Sequence, residues 1–281
     1  EAATVATAIG GTYGTLSIDA NGDYSYTRNP GTPGGVEDVF TYTIEDGDGD
    51  TSFTTVTVTL GDGDVTLDLP AEAGEGTASV NEAGLDGIGS DAASDSETTS
   101  GTFSYSAADT PVDIVIGGVT VVENGVLTAN TTVTTTIGVL TVGSFDAAAG
   151  TLDWSYTLSG PITDVDGAVE TDSIAVSVSD EDGDSDSGFI NINIVDDVPT
   201  AAADTDSLAA ADFGPATGNV ITNDTQGADQ NVTVIGVAAG NTGVALDEAA
   251  TVATAIGGTY GTLSIDANGD YSYTRNPGNP G

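Results

Sequence analysis

Histidine, cysteine, lysine and methionine are absent from this 281-residue chain, and its two basic residues, Arg28 and Arg275, face 44 acids for a formal net charge of −42. Each absence closes a class of function. Without His, Cys or Lys, the Ser–His and Cys–His nucleophile pairs, Schiff-base lysines and typical zinc sites cannot be built. So few bases form no patch that could neutralise phosphates or anionic headgroups, which sets nucleic acid and membrane surfaces aside as partners. No disulfide can hold a small domain together, and no apolar run approaches the ~18 residues of a membrane-spanning helix. No signal-peptide pattern stands at the start. The chain opens mid-pattern on "EAATVATAIGG", so it reads as an excerpt from something longer.

What is present is oxygen. Carboxylate, hydroxyl and carbonyl groups are the ligand set of a hard cation such as Ca²⁺, and the acids are clustered. "EDGDGDTSF" (45–53) sets Asp46, Asp48 and Asp50 on alternate positions with only glycine between them. Charges this close repel unless something positive lies among them. High net charge with modest hydrophobicity is also the signature of a disordered chain, so periodicity must decide between the two.

An internal repeat decides for folded domains. Residues 1–34 return at 248–281 with a single change, Thr32 against Asn279, a period of 247 residues that marks a tandem array. Weaker echoes lie inside the period. "GTLSI" (14–18), "DANGD" and "YSYT" (24–27) are matched by "GVLTV" (138–142), a longer turn and "LDWSYTL" (152–158). "DVFTYTIEDGDGD" (38–50) aligns with "DSIAVSVSDEDGD" (172–184) at a constant offset of 134, pairing Asp46, Asp48 and Asp50 with Asp180, Asp182 and Asp184. Apolar residues at every second position, bounded by Gly, Asn and Asp turns, predict half-buried antiparallel strands. No segment carries a helical period. The fold expected is all-β, tandem immunoglobulin-like antiparallel β-sandwiches. Three pieces are predicted: 1–61, the C-terminal part of one sandwich; 62–199, a complete sandwich; and 200–281, the N-terminal part of the next copy of the first. Leu16, Trp154 and Tyr156 are expected in cores.

The order "GTLSIDANGDYSYT" then "DVFTYTIEDGDGDTSFTTVTVTL" resembles the bacterial immunoglobulin-like and cadherin-like tandem repeats of giant RTX adhesins secreted by type I systems, and 62–199, ending "SDEDGDSDSGFININIVDDVP", resembles their longer repeat domain. The resemblance covers nearly the whole chain. It implies an extracellular, Ca²⁺-dependent protein of the bacterial cell surface whose repeats extend a distal ligand-binding domain. The nonapeptide "GGxGxDxUx" of such proteins does not occur here, which points to the extender region rather than either end.

Asp-Gly is also an ordinary hairpin turn signal, so each acidic turn serves the fold with or without a metal. None is an EF-hand loop, because Thr51 or Ser185 stands where the sixth position needs glycine and the bidentate Glu is absent. Sandwich topology nevertheless brings distant acids together. The turn bearing Asp180, Asp182 and Asp184 is expected beside the linker of Asp62 and Asp64. At the far end, Asp164 and Asp166 are expected beside the exit linker of Asp196 and Asp197, facing the "DANGD" of Asp266 and Asp270. Calcium shared at domain junctions is the expected cofactor, and Asp46, Asp48 and Asp50 form a further candidate site.

Three functions compete. The first is a non-catalytic extender of a surface adhesin, whose partners are calcium, neighbouring repeats of its own chain and, for the partial end domains, other molecules. The second is direct calcium-dependent recognition of glycan or partner cell. The third is an accessory module of a polysaccharide-degrading enzyme; a glycosidase pair needs a pocket and one raised pKa, which clustered turn acids are not expected to supply.

Overall fold

The computed structural model describes residues 5–69, 78–163, 169–210 and 212–278. Strands dominate; the described residues contain only two three-residue 3-10 turns, Glu82–Gly84 and Ala249–Thr251, and no helix long and apolar enough to cross a membrane. The all-β class follows from the alternation read in the sequence. In Thr151–Leu158 every second residue, Leu152, Trp154, Tyr156 and Leu158, is buried, while Asp153, Ser155 and Thr157 between them face outward.

The chain divides into two compact units, one of Glu1–Ser79, Thr99–Thr157 and Thr171–Asn193, the other of Val80–Thr98, Leu158–Glu170 and Ile194–Gly281. The first holds most of two large sheets. One is ordered Val126–Leu127, Val119–Glu123, Asp113–Ile116, Glu170–Ser179, Ser185–Val195, Ala78–Asn81; the other Thr132–Thr134, Gly138–Asp146, Thr151–Leu158, Thr98–Ser106, Thr66–Asp68. Their inner faces form a sandwich core. Phe103, Leu140 and Tyr156 from one sheet and Ile114, Ile116, Val178 and Ile192 from the other are all but inaccessible. Tyr156 crosses between the layers and donates its hydroxyl to Asp172 Oδ2 at 2.7 Å. Its ring lies where a Cβ on Gly138 would fall, so only glycine fits there.

The same unit repeats this arrangement on a smaller scale. A sheet of Ile9–Gly10, Gly14–Ile18 and Tyr24–Arg28 packs against the hairpin Glu37–Glu45/Thr51–Thr59. Tyr26 donates to Asp38 Oδ2 at 2.7 Å and meets the Phe40 ring edge-on. Gly14 occupies the place of Gly138, against the tyrosine ring. Asp38 also accepts from the Thr12 and Tyr13 amides, so a buried carboxylate is matched by three donors. The second unit carries a four-stranded sheet ordered Ala216–Asn219, Asp270–Arg275, Gly261–Ile265, Ile256–Gly257.

Candidate metal centres

One turn recurs four times. In Asp19–Asp23, Asp46–Asp50, Asp180–Asp184 and Asp266–Asp270, the first Asp donates its amide to the carbonyl of the last residue and turns one carboxylate oxygen onto amides within the loop. The fourth residue is glycine at positive φ, +89, +98, +107 and +84 in turn, a conformation that glycine adopts freely. These acids therefore have a structural task first. What differs among the four is what else comes near.

The turn Asp46–Asp50 gathers its own three carboxylates within 4.8 Å of one another, and all three are exposed. Backbone amides already engage Asp46 Oδ1 and, after the neighbouring Asp48 side chain, hold its carboxyl below the usual range. Asp266 and Asp270 belong to none of the acidic clusters among the described residues: Asp266 is occupied by the Asn268 and Asp270 amides, and Asp270 accepts from Asn219 Nδ2 at 2.8 Å.

The turn 180–184 has a different environment. Asp62, from the segment after the hairpin, lies with Asp182 and Asp184 in one group whose oxygens are all within 4.8 Å; Asp109, from the loop before Asp113–Ile116, forms a second group with Asp180 and Asp182. Asp182 is common to both. Asp109 Oδ2, Asp180 Oδ2 and Asp182 Oδ1 are buried without a hydrogen-bond partner, and Asp109 and Asp180 are 7% and 9% exposed. A buried charged oxygen with no donor costs several kcal/mol, roughly, unless a proton or cation compensates it. Burial, then the close approach and charge of the Asp182 carboxyl, pushes the Asp180 carboxyl up to about 6. The same pairing pulls Asp182 down, while burial and the charges of Asp182 and Asp184 push Asp62 up. The raised Asp180 corrects the expectation that turn acids keep ordinary pKa values. The reason is burial: Gly34 donates its amide to Asp182 Oδ2 at 2.8 Å, and a Cβ on Gly34 would lie 2.3 Å from Asp62 Oδ1 and 3.0 Å from Asp109 Oδ2. Asp64, by contrast, is exposed and outside every such group among the described residues.

The second unit has its own cluster. Glu82, wholly buried in the 3-10 turn Glu82–Gly84, lies with Asp196 and Asp229 within the same 4.8 Å limit. Its Oε1 accepts from the Ile162 amide at 2.8 Å, while Oε2 is buried with no partner. Burial pushes the Glu82 carboxyl up, with Asp229 and Asp196 adding to it. Asp197 is turned to another purpose, accepting from the amide and hydroxyl of Ser90. Asp164 and Asp166 lie outside the described residues. The acid that approaches Asp196 from the following segment is thus Asp229, not Asp266 or Asp270, whose carboxylates are held by their own turn and by Asn219.

Asp109, Glu82 and Asp229 were not singled out from sequence. None sits in an Asp-Gly turn or in the 134-residue echo, so neither pattern marks them. The oxygens of each group converge on a point, as a multi-oxygen cation shell requires. A glycosidase pair instead keeps its carboxyls roughly 5–9.5 Å apart with room for sugar or water.

Residues 1–62 match the family model of the bacterial cadherin-like domain. No curated protein matches the chain significantly.

Proposed function

We propose that this chain is a non-catalytic, calcium-rigidified extender of a large repetitive bacterial cell-surface adhesin, holding distal binding domains away from the cell. One observation carries the reading: Asp109, Asp180 and Asp182 direct three buried, unpartnered carboxylate oxygens into one cluster joined by Asp62. The cadherin-like match over 1–62 and the tandem repeat support it.

The donor set fits a hard cation. All the side chains are carboxylates, and Gly34 leaves the space beside Asp62 and Asp109 clear. Bound Ca²⁺ supplies the positive charge and the six-to-eight-oxygen coordination that these acids otherwise lack. Asp62 would anchor the linker 61–64, Asp109 a loop of the sandwich, and Asp180, Asp182 and Asp184 its hairpin turn. Three parts of the chain held at one centre lose the freedom of a short glycine-rich linker. Glu82, Asp196 and Asp229 would do the same for the linker "VDDVP" (195–199).

Small-angle scattering of the chain in chelator and in millimolar Ca²⁺ tests the reading. The maximum dimension should grow and its distribution narrow with calcium, with the β circular-dichroism signal unchanged. Identical profiles in the two conditions would overturn it.

A further inference from the structure

One Ca²⁺ holds its oxygens roughly 2.3–2.6 Å away, so two oxygens of the same ion stand no more than about 5 Å apart. Among the described residues, the acids gathered at the turn Asp180–Asp184 lie within 4.8 Å of one another as two triplets and not as one group: Asp109 with Asp180 and Asp182, and Asp62 with Asp182 and Asp184. Asp182 alone belongs to both. The triplets adjoin, since the place of a Cβ on Gly34 is 2.3 Å from Asp62 Oδ1 and 3.0 Å from Asp109 Oδ2.

The triplets differ in burial and in what they anchor. Each member of the first offers one buried oxygen without a hydrogen-bond partner: Asp109 Oδ2, Asp180 Oδ2 and Asp182 Oδ1. The other Asp109 oxygen is taken by Arg28 Nη2. All three acids belong to the sandwich itself, to the loop before Asp113–Ile116 and to the turn between Glu170–Ser179 and Ser185–Val195. The second triplet is more open, with Asp62 exposed and Asp184 half-buried, and its Asp62 comes from the linker 61–64. Charge agrees with geometry. The five carboxylates beside one guanidinium leave four negative charges, which two divalent cations balance and one does not.

We propose that this cluster binds two Ca²⁺ ions bridged by Asp182, an inner ion on Asp109 and Asp180 and an outer ion on Asp62 and Asp184. The inference rests on the calcium reading above and adds a division of labour to it. The inner ion compensates oxygens buried in the sandwich and ties its loop to its turn. The outer ion alone reaches the linker, so stiffening of the linker depends on that ion and not on the inner one. Losing Asp182 costs both ions, whereas losing Asp62 or Asp109 costs one.

Equilibrium dialysis against Ca²⁺ counts the ions by difference from the unaltered chain. Asp182→Asn should lose two, Asp62→Asn and Asp109→Asn one each, and the double variant of Asp62 and Asp109 two. Asp62→Asn should also lose part of the calcium-dependent extension in small-angle scattering while keeping its inner ion. Loss of a single ion in Asp182→Asn would overturn the two-ion proposal and leave the calcium reading standing; no loss in any variant would overturn both. Because a variant can also lose ions by unfolding, Mn²⁺ in the unaltered chain provides a second reading. It accepts the same carboxylate ligands, and two such ions sharing one carboxylate couple magnetically. At saturation the electron paramagnetic resonance spectrum should contain a broadened, exchange-coupled component. A spectrum of isolated Mn²⁺ alone, with its hyperfine lines resolved, would equally overturn the proposal.

Discussion

Arg28 donates from Nη2 to Asp109 Oδ1 at 2.6 Å, bridging 81 residues of sequence with one of the two basic side chains in the chain. The same guanidinium reaches the carbonyls of Thr32 and Gly61. It neutralises one oxygen of Asp109 and leaves the other, Oδ2, buried within the acidic cluster. The strand end, the linker and the sandwich loop are thus tied together by a cation that belongs to the protein.

Replacing Arg28 by Ala should therefore loosen this region chiefly in chelator. The guanidinium is 36% exposed, so solvent screening limits the loss to about 1–2 kcal/mol. Limited proteolysis between residues 28 and 35 should accelerate in chelator and be largely restored by calcium. Equal cleavage of variant and parent in chelator would show that the ion pair does not restrain the segment.

Asp180→Asn should act in opposite directions with and without metal. In chelator, the amide replaces a buried carboxylate whose Oδ2 has no partner, so the melting temperature should rise by a few degrees, about 2–4 °C per kcal/mol. In calcium, the variant should lose most of the stabilisation the parent gains. Scanning calorimetry in both buffers checks the crossing; a variant less stable than the parent in chelator would mean that Asp180 is structurally satisfied.

Gly34→Ala probes the cradle rather than the charges. The added methyl would fall 2.3 Å from Asp62 Oδ1, whereas a methyl on Gly10 meets nothing within 4 Å. Titration calorimetry should show weaker calcium binding for Gly34→Ala and unchanged binding for Gly10→Ala. Parent-like affinity at Gly34→Ala would place the cation away from Asp62.

The strands were legible because burial alternates with sequence position in Thr151–Leu158 and Glu170–Ser179, and the four acidic turns because glycine stands at the positive-φ position of each. The internal echoes matched Tyr26 with Tyr156 and Asp38 with Asp172, although the hydrogen bond that joins each tyrosine to its aspartate has no signature of its own in sequence. The acidic clusters were legible only in part. Asp62, Asp180, Asp182, Asp184 and Asp196 were marked by turn and linker chemistry, which is local. Asp109, Glu82 and Asp229 arrive through tertiary packing of loops that carry no repeat, and Asp64 and Asp197 were drawn in merely by adjacency. Nothing in sequence told the partly buried turn 180–184 from the exposed turn 46–50, since the difference is what packs on it.

The paired tyrosines make an alkaline prediction. Burial, then the hydrogen bond to Asp38, pushes the Tyr26 hydroxyl up to about 12, and burial with Asp172 pushes Tyr156 higher still. A raised folded-state pKa favours the protonated phenol. The contribution is therefore complete below the unfolded value of 10 and is lost as pH rises through about 12. Denaturant unfolding between pH 9 and 12 should show a decline that Tyr26→Phe and Tyr156→Phe make shallower. At neutral pH, Tyr156→Phe should cost about 1–3 kcal/mol for the lost buried bond. A parent profile flat to pH 12 would contradict the assignment.

The two clusters that hold buried, unpartnered oxygens should behave as separate sites. Asp62, Asp109, Asp180, Asp182 and Asp184 share no residue with Glu82, Asp196 and Asp229, and the unpartnered oxygens belong to different residues in each. Asp182 is common to both groups of the first cluster, so Asp182→Asn should abolish all binding there, whereas Glu82→Gln should abolish binding at the second alone. Calcium at about a hundred times Kd adds about 2.7 kcal/mol per site that binds only the folded chain. The parent should then show two classes of sites by titration calorimetry, each single variant should retain one, and the double variant neither. Glu82→Gln should also raise stability in chelator, because the amide removes a charge whose Oε2 is buried without a donor while its carbonyl can keep the bond from Ile162. Carboxylates of the exposed turn 46–50 already face water, so Asp48→Asn should change neither the count nor the affinity of the tight sites. If Asp182→Asn removed both classes together, the clusters would be coupled, and a model of two independent centres would have to be abandoned.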